Sequence, residues 1–258
     1  MLLKGAGRGL GKDVAEKLAT SGHDIIGTLR NEEECEKYSK EIKKKNLKMK
    51  LLPLALDSFE NVGDFPKKLS KITDKLDVLV LSAAVMQQSP DRIITKDGYE
   101  ETLQVNVLSQ VLLTKSLLPF LLRSPNPRII TLTSRLHLPG SRGDPVNFDF
   151  NDPNLSLGYT SDRAYKNSKL NILWFTYEFQ RRLKQEGLGR VKINSFCPGF
   201  VPQNVAVKSN SWYMKFLLYY ILPYTSVARP IPEVIKMYEF MIFDPSFDTS
   251  DGGQASRK

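Results

Sequence analysis

The stretch MLLKGAGRGLGKDVAEKLA (1–19) places a glycine-rich turn between a short apolar run and an amphipathic segment. Gly5, Gly9 and Gly11 lead into a predicted helix, so the first backbone N–H groups of that helix and its dipole face the turn. A glycine lets a phosphate approach the backbone closely, because it has no Cβ. The pattern favours a pyrophosphate site, and a glycine-rich turn without a ligand is the alternative.

Short apolar runs alternate with helix-length amphipathic segments along the chain. The runs are typical of buried parallel strands, and they lie at 1–3, 24–29, 49–56, 76–82, 128–133 and 191–196. Helices are predicted at about 10–21, 31–45, 59–74, 99–122, 160–187 and 231–243. This order predicts an α/β fold, a single-domain Rossmann-type doubly wound parallel sheet with helices on both faces. No repeat or linker divides the chain, so we expect one domain over 1–258.

The composition excludes several classes of protein. The chain has two widely spaced cysteines, Cys35 and Cys197, and two histidines. We therefore expect neither a disulfide scaffold nor a metal site, and we expect a reducing compartment. The net charge of +9 falls largely on 36–50, where Glu and Lys alternate at helical spacing. We interpret that segment as a solvated helix face, and we expect no nucleic-acid partner.

The end of the second predicted strand predicts the cofactor. In a dinucleotide-binding fold an acidic residue about twenty residues after the turn binds the ribose 2′-hydroxyl of NAD. This chain has Arg30 there, and a guanidinium pairs with a 2′-phosphate, so NADP(H) is favoured over NAD(H). Asp57, after the third strand, either accepts a hydrogen bond from the adenine amino group or caps a helix.

Three further residues form a candidate catalytic group. Tyr165 and Lys169 are four residues apart and share one face of a predicted helix. Ser134 closes the fifth predicted strand, at the edge of the sheet where α/β proteins bind ligands. A Tyr–Lys pair at this spacing is expected about once by chance in this composition, so its placement relative to Ser134 carries the prediction.

The order of these motifs resembles the short-chain dehydrogenase/reductase family over nearly the whole chain. The segment KGAGRGLG matches the family turn TGxxxGxG with Lys4 in place of Thr, and LDVLVLSAA stands for LDVLVNNAG. Asn106 falls at the family's catalytic asparagine, and PGF follows the sixth strand. Residues 146–183 and Arg30 resemble the retinol-dehydrogenase-like branch.

The resemblance implies a mechanism. The pro-S hydride of NADPH would pass to a carbonyl carbon, and Tyr165 would donate the proton. Lys169 would lower the pKa of Tyr165 and bind the nicotinamide ribose, while Ser134 would hold the carbonyl oxygen. Asn106 would help to hold a water that relays protons to Lys169. Without a ligand, Ser134 would be a strand-end cap and Asn106 an unexplained polar residue within a helix.

The resemblance also implies the residues that contact the cofactor, which are Gly5, Arg8, Gly9, Leu10, Gly11, Arg30, Asp57, Ser82, Ala83, Tyr165, Lys169, Pro198, Gly199 and Val201. Two departures from the family pattern bear on affinity and stability rather than on the type of reaction. The segment at 82–84 lacks the usual asparagine amides, and Gln203 stands where a threonine often touches the carboxamide.

The leading hypothesis is an NADP(H)-dependent oxidoreductase for a lipophilic alcohol/carbonyl pair of the retinoid, steroid or lipid aldehyde type. The apolar segment near 200–228 is interpreted as a substrate lid, with packing on the core or contact with a membrane surface as alternatives. We expect a cytoplasmic location or one peripheral to an intracellular membrane. The family's dimers, formed through the helices that carry Asn106 and Tyr165, make a homodimer plausible.

A second hypothesis is a dinucleotide-binding sensor or scaffold of the same fold that is catalytically weak or inactive. The altered segment at 82–84 and the three-residue first strand favour it, and Ser134, Tyr165 and Lys169 oppose it. We also expect that the sequence lacks residues at its start and at its end compared with its relatives. A family strand that usually follows the last helix is expected to be missing.

Overall fold

The structure is a computed structural model. It describes residues 1–138, 140–141, 143, 146–202, 228–249 and 255–256. Most of the segment that we interpreted as a substrate lid, and Gln203 with it, lies outside the described residues.

Seven strands form one parallel sheet in the order β3-β2-β1-β4-β5-β6-β7. The strands are β1 (Leu2–Lys4), β2 (Ile25–Leu29), β3 (Met49–Pro53), β4 (Val78–Leu81), β5 (Arg128–Leu132), β6 (Lys192–Phe196) and β7 (Ala255–Ser256). Each neighbouring pair is parallel. The predicted doubly wound parallel α/β fold is confirmed.

The seventh strand corrects one expectation. Sequence analysis predicted no strand after the last long helix, but Ala255 and Ser256 pair with Ser195 and Phe196 of β6. Two residues are too few to show an alternating or apolar pattern. Only pairing with a neighbouring strand reveals them.

Helices connect the strands. They are α1 (Gly9–Thr20), α2 (Glu32–Lys44), α3 (Phe59–Leu69), α4 (Glu101–Leu103), α5 (Ser109–Leu121), α6 (Ser161–Gln185), α7 (Ile231–Phe243) and α8 (Ser246–Thr249). A π-helical stretch, Gln104–Leu108, joins α4 to α5, and a 3₁₀ turn, Arg135–His137, follows β5. The side chains of Asn31, Ser58 and Thr160 accept hydrogen bonds from the first turns of α2, α3 and α6, which fixes where these helices begin.

The short strand β1 lies in the middle of the sheet and is fully buried. Its side chains alternate between the two faces, so Leu2 packs in the core on the α3 and α5 face and Leu3 in the core on the α1 and α7 face. Burial of each leucine contributes about 1.5–3 kcal/mol. Because β1 also pairs with β2 on one side and β4 on the other, three residues are enough to form this strand.

The glycine turn brings the start of α1 against the end of β1. Gly5 has a φ of +92°, which L side chains rarely adopt. The N–H groups of Gly5 and Ala6 both donate to the Thr28 carbonyl oxygen at 3.2 Å. A Cβ on Gly11 would lie 2.1 Å from the Gly5 carbonyl oxygen, so only glycine permits this approach.

We predict that Gly11→Ala lowers the free energy of unfolding by roughly 2 kcal/mol or more, because the added methyl group forces the turn and α1 apart. Urea denaturation followed by circular dichroism measures the effect. Gly63→Ala is the matched control: Gly63 lies in α3, is exposed, and has open space around its Cβ position. That control is expected to gain about 0.5–1 kcal/mol. Equal stabilities for the two variants would contradict the close contact at Gly11.

Candidate functional site

A cleft lies at the carboxyl ends of the strands, where the strand order reverses between β1 and β4. Ligands of doubly wound sheets bind at such reversals. Most of the predicted site residues line the cleft, namely Gly5, Arg8, Leu10, Gly11, Arg30, Asp57, Ser82, Ala83, Tyr165, Lys169 and Pro198. The other predicted residues do not line it, and these are Gly9, Asn106, Ser134, Gly199 and Val201.

The glycine turn forms one wall of the cleft. A Cβ on Gly5 would lie 3.1 Å from atoms of Ala83, so the turn packs closely against the segment that follows β4. In the described part of the chain, the Arg8 side chain makes no capping bond to α1, and the first turn of α1 has no acidic residue. The start of α1 carries the positive end of the helix dipole, which favours an anion at this wall of the cleft.

Two residues that sequence analysis treated separately form an ion pair. The Arg30 guanidinium donates to an Asp57 carboxylate oxygen at 2.6 Å. The backbone N–H of Arg30 also donates to a Glu34 carboxylate oxygen at 3.1 Å. The Arg30 side chain remains 60% exposed, so it can reach a ligand in the cleft as well as Asp57.

Sequence analysis missed five polar residues of the cleft wall, Lys4, Thr28, Glu34, Glu101 and Thr133. Lys4 is the last residue of β1 and is only 7% exposed. Burial lowers the pKa of its ammonium group to about 8. The Thr28 hydroxyl is buried without a hydrogen-bond partner among the described residues. The signal for Lys4 was present in the sequence, because it is a charged residue at the end of an apolar central strand.

Tyr165 is partly buried at the cleft, and desolvation raises the pKa of its hydroxyl to about 12. The neighbouring Cys197 raises the pKa further, while a hydrogen bond with the Ser134 side chain lowers it. Ser134 thus lies in contact with Tyr165, although it does not itself line the cleft. Its hydroxyl oxygen also accepts a hydrogen bond from the Leu136 N–H at 3.3 Å, which is the strand-end cap that sequence analysis gave as the alternative.

The net pKa of Tyr165 is raised, and the lowering effect expected of Lys169 stays a prediction. Sequence analysis predicted that the ammonium lowers the pKa of Tyr165. The Lys169 Nζ donates to the Leu132 carbonyl oxygen at 3.0 Å and lies 5.4 Å from the centre of the Tyr165 ring. The desolvation of Tyr165 outweighs the stabilising interactions of its charged form, and the phenol stays protonated.

Asn106 joins three elements behind the cleft. It lies in the π-helical stretch and is fully buried. Its amide oxygen accepts from the Val85 N–H at 2.8 Å, and its amide nitrogen donates to the Val85 carbonyl at 2.8 Å and to the Ser168 hydroxyl at 3.1 Å. Asn106 therefore connects the segment after β4 to α6, the helix that carries Tyr165 and Lys169.

The segment after β4 obtains its polar contacts from distant elements. The Ser82 hydroxyl lies 2.9 Å from the hydroxyl of Tyr238 in α7, and the Gln110 amide donates to the Ala83 carbonyl at 2.8 Å. These bonds hold the segment at a place where the family pattern has asparagine amides.

The remaining predicted contacts follow β6 or belong to the glycine turn. Gly9 and Gly199 have φ values of +55° and +78°, which favour glycine. The Gly199 N–H donates to the Cys197 sulfur at 3.4 Å. Val201 is buried, so it supports the wall of the cleft from behind.

Comparison with known proteins gives consistent matches. The family model of short chain dehydrogenases matches residues 1–145. Retinol dehydrogenase 13 of Mus musculus is 35% identical over 202 residues, which cover 77% of this chain and 57% of that protein. Polyprenol dehydrogenase of Homo sapiens is 33% identical over 210 residues, covering 79% of this chain and 61% of that protein. The chain thus spans about three-fifths of the length of these curated relatives.

A solved structure shows the same fold. It is a short chain dehydrogenase from Escherichia coli CFT073 in complex with NADPH, with a TM-score of 0.69 and 19% sequence identity. The superposition covers 98% of this chain and 93% of that chain.

We predict that Asn106→Ala lowers the free energy of unfolding by about 2–4 kcal/mol, because it leaves the partly buried N–H and C=O groups of Val85 and the buried Ser168 hydroxyl without this partner. Thermal and urea denaturation measure the loss. Asn151→Ala, at an exposed position in the loop before α6, is the control and is expected to change stability by less than about 0.5 kcal/mol. A stable Asn106→Ala protein would show that the contacts to Val85 contribute little.

Proposed function

The chain belongs to the short-chain dehydrogenase/reductase family, on its retinol-dehydrogenase-like branch, and on this premise we propose that it is an NADP(H)-dependent oxidoreductase for a lipophilic alcohol/carbonyl pair. The observation that carries the proposal is the contact of Ser134 with Tyr165 next to Lys169, at the wall of the cleft. The raised pKa of Tyr165 keeps the phenol protonated near neutral pH, as a proton donor in carbonyl reduction requires.

The residues of the cleft fit a dinucleotide. Gly5 and Gly11 have no Cβ atoms that would fill the turn, and the dipole at the start of α1 favours the negative charge of a pyrophosphate. The buried Thr28 hydroxyl has no partner among the described residues, and a ligand in the cleft would supply one. When bound, the nicotinamide would supply or accept a hydride.

Each catalytic side chain has a role in the proposal. Ser134 would donate a hydrogen bond to the carbonyl oxygen, Tyr165 would donate the proton to that oxygen, and Lys169 would hold the ribose next to it. The water relay predicted for Asn106 stays a prediction. The contacts of Asn106 with Val85 and Ser168 support a positioning role, because they orient α6 relative to the segment after β4.

The preference for NADP(H) rests on Arg8 and Arg30, both of which line the cleft. A 2′-phosphate would compete with the Asp57 carboxylate for Arg30, and a guanidinium can serve both. The neighbouring structure solved with NADPH has the same fold, which supports a nicotinamide dinucleotide without deciding between NAD and NADP.

The lipophilic substrate is supported by the relatives, which are named retinol and polyprenol dehydrogenases. Among the described residues no helix is long and apolar enough to cross a membrane. The location expected from the sequence, in the cytoplasm or at the periphery of an intracellular membrane, stays a prediction. The single domain over 1–258 and the homodimer both stay predictions.

A second candidate function is a dinucleotide-binding sensor or scaffold without turnover. The observation that favours it is the hydrogen bond from the Lys169 ammonium group to the Leu132 carbonyl oxygen, a backbone partner outside the reacting group. Such a protein would bind a dinucleotide with affinity similar to that of an enzyme but would not oxidise it.

We predict that the protein oxidises NADPH in the presence of at least one long-chain or ring-containing aldehyde or ketone, and that Tyr165→Phe lowers kcat by at least a hundredfold. The reason is that the phenylalanine variant has no proton to donate, a contribution of about 10²–10⁴ in rate. The decrease in NADPH absorbance measures turnover, and quenching of tryptophan fluorescence measures binding.

Tyr177→Phe is the matched control for this test, because Tyr177 lies on the same helix but is exposed to solvent. It is expected to retain the wild-type rate. Dinucleotide binding without turnover across the panel would favour the sensor. Binding of neither NADPH nor NADH would contradict both functions.

We also predict that Arg30→Ala raises the Kd for NADPH by about 10–100-fold and that for NADH by less than threefold, because a charge-assisted hydrogen bond contributes about 1.5–3 kcal/mol. Isothermal titration calorimetry measures both. Arg181→Ala, which removes an exposed guanidinium of α6 paired with Glu178, is the control for net charge. If the ratio of the Kd values for NADPH and NADH is unchanged in Arg30→Ala, the 2′-phosphate does not bind at Arg30.

A further inference from the structure

Lys4 is a buried cation in the wall of the cleft. It pairs with Thr28 of β2 on one side and with Leu81 of β4 on the other, so its backbone is fixed at the centre of the sheet. Its side chain is more than nine-tenths buried and lines the cleft. The family pattern has an uncharged threonine at this position, so the charge is a property of this chain.

The surroundings of Lys4 do not supply a direct counter-ion. Among the described residues no carboxylate lies within 4 Å of its ammonium group. Glu34 and Asp57 act on it only through longer-range attraction, and Arg8 and Arg30 oppose them. Both carboxylates are already engaged with Arg30, Asp57 through the guanidinium and Glu34 through the backbone N–H.

Burial of an ammonium group without a direct counter-ion disfavours its charged form. The unfavourable free energy falls when an anion binds next to the group or when the group loses its proton. Four charged groups act on Lys4, namely Arg8, Arg30, Glu34 and Asp57. In the proposed function the adenosine ribose binds next to these groups. The charges of these four neighbours balance one another, so Lys4 leaves the corner with a net positive charge that favours an anion.

We propose that Lys4 is a specificity-determining residue that binds the 2′-phosphate of NADP(H) together with Arg30. The proposal rests on the function proposed above and goes further, because it adds a buried contact to the exposed one. In this proposal Arg30 binds the phosphate at the exposed rim of the cleft, and Lys4 binds it from the buried wall.

The affinity for the phosphate then depends on pH. The pKa of Lys4 is lowered to about 8, so the ammonium is mostly charged at pH 7 and mostly neutral at pH 9. The second pKa of a phosphate ester is about 6, so the ligand keeps its charge over this range. The other charged groups at this end of the cleft are Glu34, Asp57, Glu101, Arg8 and Arg30. Binding above pH 8 therefore requires uptake of a proton by Lys4, and the Kd rises with pH.

The experiment compares four ligands, NADPH, NADH, 2′,5′-ADP and 5′-ADP, by isothermal titration calorimetry at pH 7 and pH 9. The proteins are the wild type, Lys4→Met and Lys48→Met. Lys48 precedes β3 at the opposite edge of the sheet and is exposed, so its variant removes the same charge without touching the cleft. Lys4→Thr, which restores the family residue, is the second variant in case Lys4→Met does not fold.

In Lys4→Met we expect the Kd for NADPH and 2′,5′-ADP to rise at least tenfold at pH 7, with NADH and 5′-ADP within twofold of the wild type. From pH 7 to pH 9 the wild-type Kd for NADPH should rise on the order of tenfold, as expected for a group with a pKa midway, and that of the variant should stay constant. Lys48→Met should match the wild type at both values of pH.

An equal rise in Kd for all four ligands would overturn the proposal. It would show that Lys4 binds the pyrophosphate or that it only maintains the shape of the cleft. Unchanged NADPH binding in both Lys4 variants would overturn it as well, while leaving the proposed function intact. A wild-type protein that binds none of the four ligands would overturn the proposed function itself.

Discussion

The close approach of α1 to the end of β1 is the constraint on which the rest of the molecule depends. The α-carbon of Gly11 faces the carbonyl oxygen of Gly5 at a distance that no side chain permits. The turn is tied to β2 by two hydrogen bonds to the Thr28 carbonyl. Because β1 pairs with β2 and with β4, this contact sets the start of α1 above the strand reversal, and the cleft forms there.

Burial rather than charge pairing sets the chemistry of the cleft. Desolvation disfavours the charged form of any group, so it lowers the pKa of Lys4 and raises that of Tyr165. The outcome is a phenol that keeps its proton and an ammonium that is charged only at neutral or lower pH. Arg30 and Asp57 satisfy each other at the rim, where solvent screens the pair and weakens it. An incoming anion therefore competes with one exposed carboxylate.

The segment after β4 lacks the asparagine amides of the family pattern, and side chains from other elements of the fold form hydrogen bonds with it instead. Tyr238 of α7 reaches Ser82, Gln110 of α5 reaches the Ala83 carbonyl, and Asn106 holds both backbone groups of Val85. Each of these bonds is partly or fully buried, where an unpaired backbone group would cost about 1–3 kcal/mol. The segment is therefore tied to α5, to α7 and to the π-helical stretch, by residues other than the asparagines of the family pattern.

The sequence by itself determined the parallel α/β fold and the glycine turn, because apolar periodicity and the absence of a Cβ are properties of local stretches of chain. Most of the site residues that it identified line the cleft. The tertiary structure alone decided the two-residue strand β7, which shows no pattern before it pairs with β6. It also decided the ion pair between Arg30 and Asp57, which lie 27 residues apart, and the direction of the Tyr165 pKa. Burial depends on what the whole chain packs around a group, and no short stretch of sequence contains that information.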